Sequence, residues 1–452
     1  MSGGIGPAAR GGRVSGASAR RRYALVSFLT WLPAGLMIAP LVLLMLDRGL
    51  TLVQVGVVMT VYSLVIAALE LPTGGLADVA GRRVVLAVAA GCTALALALL
   101  VVATSFWAFV AAGTVLGVSR ALSSGPAEAW FVDTLHAAEG DDADLRPGLS
   151  RGHVMEDVAL GVGVLAGGFA PVAFGTPGSG AALPAWMASP GSGTALPGWM
   201  APLSVPALLG AVAALVWLVV VLVAMPEPPR PRVSLREALG GVPATVAAGV
   251  RLAARDGVLR RLVLVGAVIG VALTCVELLV PGHLAGVTGS AELGATAYAV
   301  VSAVGFAGGA LGSGLAPALA RRLGGSVRGA VAGLLVAGGA LAGLALAAAV
   351  AGGGAGGVAL AGLPYLVFFA GLGAHGVLRA ELGHHRVTSA ERATMASASS
   401  LAGSGGAALA NLTLAPLAMA LGVSAAWWLV AAVVLASALL LVRLPAGVPA
   451  GG

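Results

Sequence analysis

Twelve apolar runs, each close to the length of a bilayer crossing, follow one another from Tyr23 to Arg443 with short breaks between them. A helix rises about 1.5 Å per residue and a bilayer's hydrocarbon core is about 30 Å thick, so about twenty residues cross it once. In lipid every backbone amide must be satisfied within the spanning structure, which a helix does alone. The runs are Tyr23 to Leu46, Leu52 to Thr73, Val84 to Thr104, Trp107 to Ala127, Val154 to Gly175, Leu203 to Met225, Arg260 to Pro281, Ala295 to Pro317, Gly329 to Val350, Gly356 to Leu378, Thr394 to Ala420 and Ser424 to Arg443. The expected fold is an all-α membrane protein of twelve transmembrane helices. The first run is too long for a signal-peptide core and no small-residue cleavage site follows it, so it is expected to stay as an anchor.

Composition excludes the water-soluble alternative. Charged residues make up 10% of the chain, against about 25% in a soluble domain. All 25 basic residues are arginine, which removes the phosphate-loop lysine, the Schiff base and the kinase lysine. Neither an enzyme nor an ATP-driven pump is expected, and no cofactor. The net charge of +7 is scattered between apolar runs and builds no basic face with interleaved aromatics, so nucleic acid is not an expected partner. Cys92 and Cys275 sit singly in apolar runs and read as small core hydrophobes.

Positive residues stay on the cytoplasmic side of a membrane. With the amino terminus inside, 23 of the 25 arginines fall on cytoplasmic segments, leaving Arg48 outside and Arg120 within a span. The expected location is the cytoplasmic membrane, multi-pass, with both termini cytoplasmic.

The sixth run is followed by MPEPPRPR, Met225 to Arg232, where proline stops the helix. This divides the chain into a disordered tail (1–22), a six-helix bundle (23–225), a cytoplasmic linker (226–259), a second six-helix bundle (260–443) and a short tail (444–452). Repetition supports the division: Gly75-Leu76-Ala77 with Arg82-Arg83 recurs as Gly314-Leu315-Ala316 with Arg321-Arg322, 239 residues later. Two copies of one bundle are a transporter architecture. A local repeat, PGSGAALPAWMA from Pro177 and PGSGTALPGWMA from Pro190, lies in an uncharged outer loop and reads as a lid or as a tolerated duplication.

The segment GGLADVAGRR, Gly74 to Arg83, resembles the signature loop of the major facilitator superfamily at Gly74, Leu76, Asp78, Gly81, Arg82 and Arg83. Val79 stands where that family usually has a basic residue. Glu70-Leu71-Pro72-Thr73, SSGPAEAWFVD (Ser123 to Asp133) and ERATMAS (Glu391 to Ser397) look like a bacterial, drug-efflux-like subgroup. Gly161 to Gly168 is similar to the family's antiporter signature, with Val164 in the place of a proline.

Thr388 and Glu391 have capping-box spacing, so a helix begins there with its positive dipole end free for an anion. The resemblance implies that Asp78 docks on that helix start beside Arg392, with Arg82 or Arg83 near, latching the halves when the outer side is open. A tight turn within one bundle is the alternative. Charges at membrane depth are costly and mark pathways or pairs. Arg120, which resembles the arginine of another family signature, is a gate, a proton-relay partner or half of a structural pair. Glu70 and Glu277 are deep carboxylates suited to a proton-carrying role or to packing. Glu128, Asp133, Glu156 and Asp157 cluster at the cytoplasmic mouth, as proton or gating groups or as a solvated face. Trp31, Met37, Tyr62, Tyr365, Phe368 and Phe369 line a central cavity or pack between helices. Glu381, His384 and His385 lack the partners of a helical metal site, so no metal is expected. Asn411-Leu412-Thr413, a formal sequon, falls within a span.

These readings converge on a secondary transporter with two bundles rocking about a midplane site. Scarce deep charge and the subgroup resemblance point to proton-coupled efflux of a small apolar or amphipathic compound, as an antiporter and as a monomer. A uniporter or importer of a small metabolite, and a non-transporting receptor, are the competing classes.

Overall fold

The computed structural model describes residues 14–140, 142–174, 200–227, 251, 256–350, 352–384, 386 and 392–442. The outer-loop duplication and most of the linker lie outside the described residues. In chain order the helices are α1 (Gly16–Ile38), α2 (Leu41–Asp47), α3 (Leu52–Ala80), α4 (Arg82–Val102), α5 (Phe106–Ser123), α6 (Pro126–Glu139), α7 (Arg146–Phe174), α8 (Val205–Ala224), α9 (Gly257–Thr288), α10 (Ala291–Leu323), α11 (Ser326–Val350), α12 (Ala355–His384), α13 (Arg392–Leu421) and α14 (Val423–Val442). A one-turn 3₁₀ helix, Pro202–Ser204, precedes α8.

Eleven candidate spans are long and apolar enough to cross a bilayer, and α1 with α2, bent by 42°, completes twelve. The bend falls at Ala39-Pro40, where proline has no amide hydrogen to continue the ladder. Several expected boundaries move. Helix α1 begins at Gly16, its amino end capped by the Ser15 hydroxyl, which accepts from the Ser18 amide at 3.3 Å; residues 16–22 are helix rather than tail. Helix α5 ends at Ser123, where Gly125 takes a φ of 92° and Pro126 starts α6, although α5 and α6 together form one candidate span, Phe106–Glu139. The seventh runs through Pro281 to Thr288.

The two halves, α1 to α8 and α9 to α14, repeat one packing scheme. First packs on fifth (α1 on α7, α9 on α13), second on fourth (α3 on α5, α10 on α12) and third on sixth span (α4 on α8, α11 on α14). Glycine sets the first of these pairs in both copies. A Cβ on Gly163 would lie 2.8 Å from Gly35 Cα, and one on Gly270 would lie 2.2 Å from Gly403 O. Such contact lets backbones approach as membrane helices require.

The near face carries the start of α1 and the end of α14; the far face is opposite. At the far end the halves join twice. Added to Gly56, a Cβ would lie 2.2 Å from Asn411 O; added to Gly168, it would lie 2.2 Å from Ala299 Cβ and 2.8 Å from Ala295 O. Gly56 and Ala295 are themselves 239 residues apart, so the two contacts are copies of one. The Thr296 hydroxyl donates to Gly168 O at 2.8 Å. One apolar core runs from Leu44, Val58 and Phe109 through Val164 into Val276, Tyr298 and Trp427, crossing between halves. A separate core, with Tyr23, Leu86, Trp130, Phe131 and Trp217, holds the near end of the first half. The described halves are fused at the far end and independently cored at the near end.

Candidate functional site

Arg120 occupies the last turn of α5, where the helix's negative end favours a cation. Its guanidinium lies over the Trp31 ring, 4.1 Å from the centroid, an arrangement worth about 0.5–2 kcal/mol. Glu156 on α7 lies beside Trp31 and in the field of Arg120. These three, with Tyr23, Ser27, Thr30, Ser123 and Glu128, line a cavity of about 140 Å³. A smaller one of about 60 Å³, lined by Met37, Tyr62, Ser119 and Trp217, shares Thr30, Arg120 and Ser123 with it.

Glu277 stands on α9 in the second half. Helix α9 continues for eleven residues beyond Glu277, placing it about 16 Å from the helix end by helical rise. Its neighbours Cys275, Val276, Leu278, Leu279 and Val280 are buried at 0–2%, yet Glu277 is exposed. The carboxylate acts electrostatically on Tyr62 of the first half and on Tyr298 and Tyr365 of its own, so the open space it faces lies between the halves. Tyr62 also feels Arg120. The two tyrosine hydroxyls of the second half stand 3.5 Å apart. Tyr365 packs on Phe369 with ring centroids 4.9 Å apart, and Phe306 meets the same ring at 6.4 Å. Phe368 is fully buried and fills the core.

Glu70 stands at the α3–α13 contact, where the Ser400 hydroxyl donates to its Oε2 at 2.8 Å. The arginines of the signature loop are engaged within the first half. Arg82 pairs with Asp133 and donates to Ala129 O, while Arg83 donates through its amide to Glu227 Oε1 at 2.7 Å and through its side chain to Leu222 O. Gly81, at a φ of 100°, leaves no room for a side chain beside Glu227. Thr388 and Glu391 lie outside the described residues, as do the side-chain positions of Gly74, Asp78 and Arg392. Glu381 accepts from Ser326 at 3.0 Å, and Asn411 is buried within α13.

Three features were not recognised in the sequence. Glu156, read as part of the mouth cluster, lies against Trp31. Glu227, treated only as linker, holds the signature loop. Arg379, placed just beyond the tenth span, lies inside α12 and donates to Leu262 O of α9 at 3.3 Å. It is the counterpart of Arg120, since each rises from the near end of its half's fourth span and reaches that half's first. His375, one turn before it, is buried with Nδ1 at 2.9 Å from Ala330 O.

The sequence matches the family described as Major Facilitator Superfamily over residues 23–411. No curated protein sequence matches it. Among solved structures, the fold is similar to that of the nucleoside transporter NupG, with a TM-score of 0.72, 11% identity and coverage of 94% of this chain and 98% of that one. It is similar to a POT family transporter in complex with 5-aminolevulinic acid (TM-score 0.69, 15% identity, 94% and 95% covered). A third likeness is to a bacterial homologue of the human lysosomal transporter Spinster, in an inward-facing and unoccupied conformation (TM-score 0.67, 16% identity, 96% of each chain covered). At such identities these likenesses establish the fold alone. The match over most of its length decides the assignment: the chain belongs to the Major Facilitator Superfamily and is a membrane transporter rather than an enzyme.

Proposed function

We propose that this transporter exports a small apolar or amphipathic compound by alternating access, coupled to protons, as a monomer in the cytoplasmic membrane with its near face inside. The observation that carries the reading is the cleft itself. Two copies of one bundle meet at the far end through duplicated glycine contacts, while Arg120 lines a cavity in the first copy and Glu277 is exposed in the middle of a span of the second. Rocking about such a site exposes it to each side in turn, and substrate and proton bias the two states. Glu277 is the favoured proton-carrying group, with Tyr62, Tyr298 and Tyr365 in its field. Glu70, bonded to Ser400 across the halves, suits a gate. The latch reading complements this: Asp78 would meet the start of α13 when the far side opens, and Arg82 and Arg83 are held ready by Asp133 and Glu227.

The test is a lipophilic-compound panel in proteoliposomes under an imposed pH gradient. Gradient-driven accumulation that disappears in Glu277→Gln is the expected result. Movement down the substrate gradient alone, indifferent to pH, would overturn proton coupling. One observation favours a second reading. The larger cavity is lined by Ser27, Thr30, Ser123, Glu128 and Glu156, a polar wall that suits uniport or import of a hydrogen-bonding metabolite. Competition by nucleosides or short peptides, with no effect of lipophilic compounds, would select it.

A further inference from the structure

We infer that the smaller cavity beside Arg120, within the first half, seats a carboxylate, and that the transported compound is an amphipathic organic monoanion. The inference rests on the transporter reading above and narrows its substrate class. It begins with an accounting of hydrogen-bond donors. The cavity of about 60 Å³ is lined from α1, α3, α4, α5 and α8, and it lies deeper than the larger one, reaching Met37 of α1 where the other reaches Tyr23. Most of its hydroxyls donate within the bundle: Thr30 to Val26 O, Ser119 to Ala89 O and Ser123 to Arg120 O at 2.8–3.0 Å, which leaves Thr93 to donate to Ser119. Three donors on the lining stay unmatched among the described residues. Trp217 is 1% exposed and its Nε1 has no partner. The Tyr62 hydroxyl, on the same lining, has none either. Arg120 makes no ion pair, and Trp31 offers its guanidinium a ring but no acceptor oxygen.

The lining selects the ligand. No acidic or amide side chain borders this cavity, so the missing acceptor oxygens come from the compound that fills it. A guanidinium is matched in charge and in geometry by a carboxylate, which accepts from two of its N–H groups at once. An indole N–H kept from water without an acceptor is costly, and a ligand oxygen removes that cost. Pro33, Met37, Leu97 and Leu116 supply apolar surface on the same lining. A volume of about 60 Å³, several times the roughly 10–15 Å³ that a single water needs, admits the carboxylate and a few carbons. The rest of the compound extends into the larger cavity, which shares Thr30, Arg120 and Ser123. Glu128 and Glu156 line that outer chamber, and Glu156 acts on Arg120 through its field without an ion pair. Like charges repel strongly where water is scarce, so the two carboxylates select a single negative charge over a dianion.

Binding of radiolabelled benzoate to the purified full chain in lipid nanodiscs tests this. Saturable binding is expected, weakened about tenfold or more in Arg120→Gln and partly restored in Arg120→Lys, which keeps the charge and loses the paired donors. Trp217→Phe keeps a ring and drops the N–H, and is expected to weaken benzoate about fivefold. Benzamide, benzylammonium and the dianion phthalate are expected to compete poorly. Equal benzoate affinity in the native chain and Arg120→Gln, or competition by benzamide or benzylammonium as strong as by benzoate itself, would overturn the inference; tighter binding of phthalate would overturn the single charge. If Arg120→Gln fails to fold, Trp217→Phe and Tyr62→Phe decide, since both must weaken benzoate. Labelling of Thr296→Cys from each side, in a chain lacking Cys92 and Cys275, runs in parallel. Alternating accessibility without benzoate binding rejects the carboxylate site and keeps the transporter; loss of alternation rejects the transporter reading itself.

Discussion

The far and near ends of the cleft are built by the same helices and packed in opposite ways. At the far end Gly56 and Gly168 bring the halves into backbone contact and one apolar core crosses the boundary. At the near end the first half closes on itself, with a separate core around Tyr23 and Phe131, whose rings stack at 4.7 Å, and with Arg82, Arg83 and Arg20 bonded to Asp133, Glu227 and Glu139. The contrast teaches that the closed end is built by residues without side chains, whereas at the near end the first half satisfies most of its own charges and meets the second through the Ser400–Glu70 hydrogen bond. Tight packing of this kind has discrete arrangements rather than continuous ones.

The comparison breaks most severely at Gly168. Leucine there adds a side chain where a Cβ alone meets Ala299 Cβ at 2.2 Å. Overpacking costs about 1–3 kcal/mol, and each 1.4 kcal/mol shifts an equilibrium about tenfold. Labelling of a cysteine at position 296 from the far side, in a chain lacking Cys92 and Cys275, should rise at least about tenfold. Unchanged labelling would show that this contact does not hold the end closed. Gly163→Ala serves as the control within one half, its Cβ 2.8 Å from Gly35 Cα. Here the similar cost should appear as a lower melting temperature in detergent, with far-side labelling as in the native chain; altered labelling would mean that packing within a half and closure between halves are coupled.

The paired arginines sharpen the same contrast. Arg379→Lys gives up the hydrogen bond to Leu262 O and should lower stability by about 0.5–1.5 kcal/mol, read from thermal melting. Arg120→Lys keeps the charge but loses the planar stack on Trp31, so transport should fall at unchanged melting temperature. If both changes act on stability alone, Arg120 is structural. The smallest effect belongs to Glu227→Gln, which weakens an exposed contact to the Arg83 amide by about 0.5 kcal/mol. Hydrogen exchange at residues 82–86 should quicken about twofold, and identical protection would remove Glu227 from the near-end network.

Much of this architecture is legible in the chain. Lipid leaves no alternative to helices of spanning length, so the runs appear as they should, and the 239-residue repeat of glycine and arginine foretells paired bundles. Arg120 and Glu277 stand out because charge is rare at that depth. The rest depends on how each helix is turned. Gly161, Gly163, Gly167 and Gly168 look alike in a sequence with 69 glycines. Only packing separates them: a Cβ on Gly163 or Gly167 would strike α1, one on Gly168 would strike the other half, and one on Gly161 would meet nothing. The contact of Glu156 with Trp31 and that of Arg379 with α9 were missed for the same reason, since hydropathy places a residue along the membrane normal but not around its helix.

The sequence by itself determined the number of crossings, their length and the duplication, because one-dimensional spacing is all that the bilayer's thickness and the price of an unpaired amide require. Tertiary structure alone decided which end closes and which side chains face each other across the cleft. Those outcomes rest on helix rotation and on contacts between residues hundreds of positions apart, where a single methyl group is enough to open or shut the boundary.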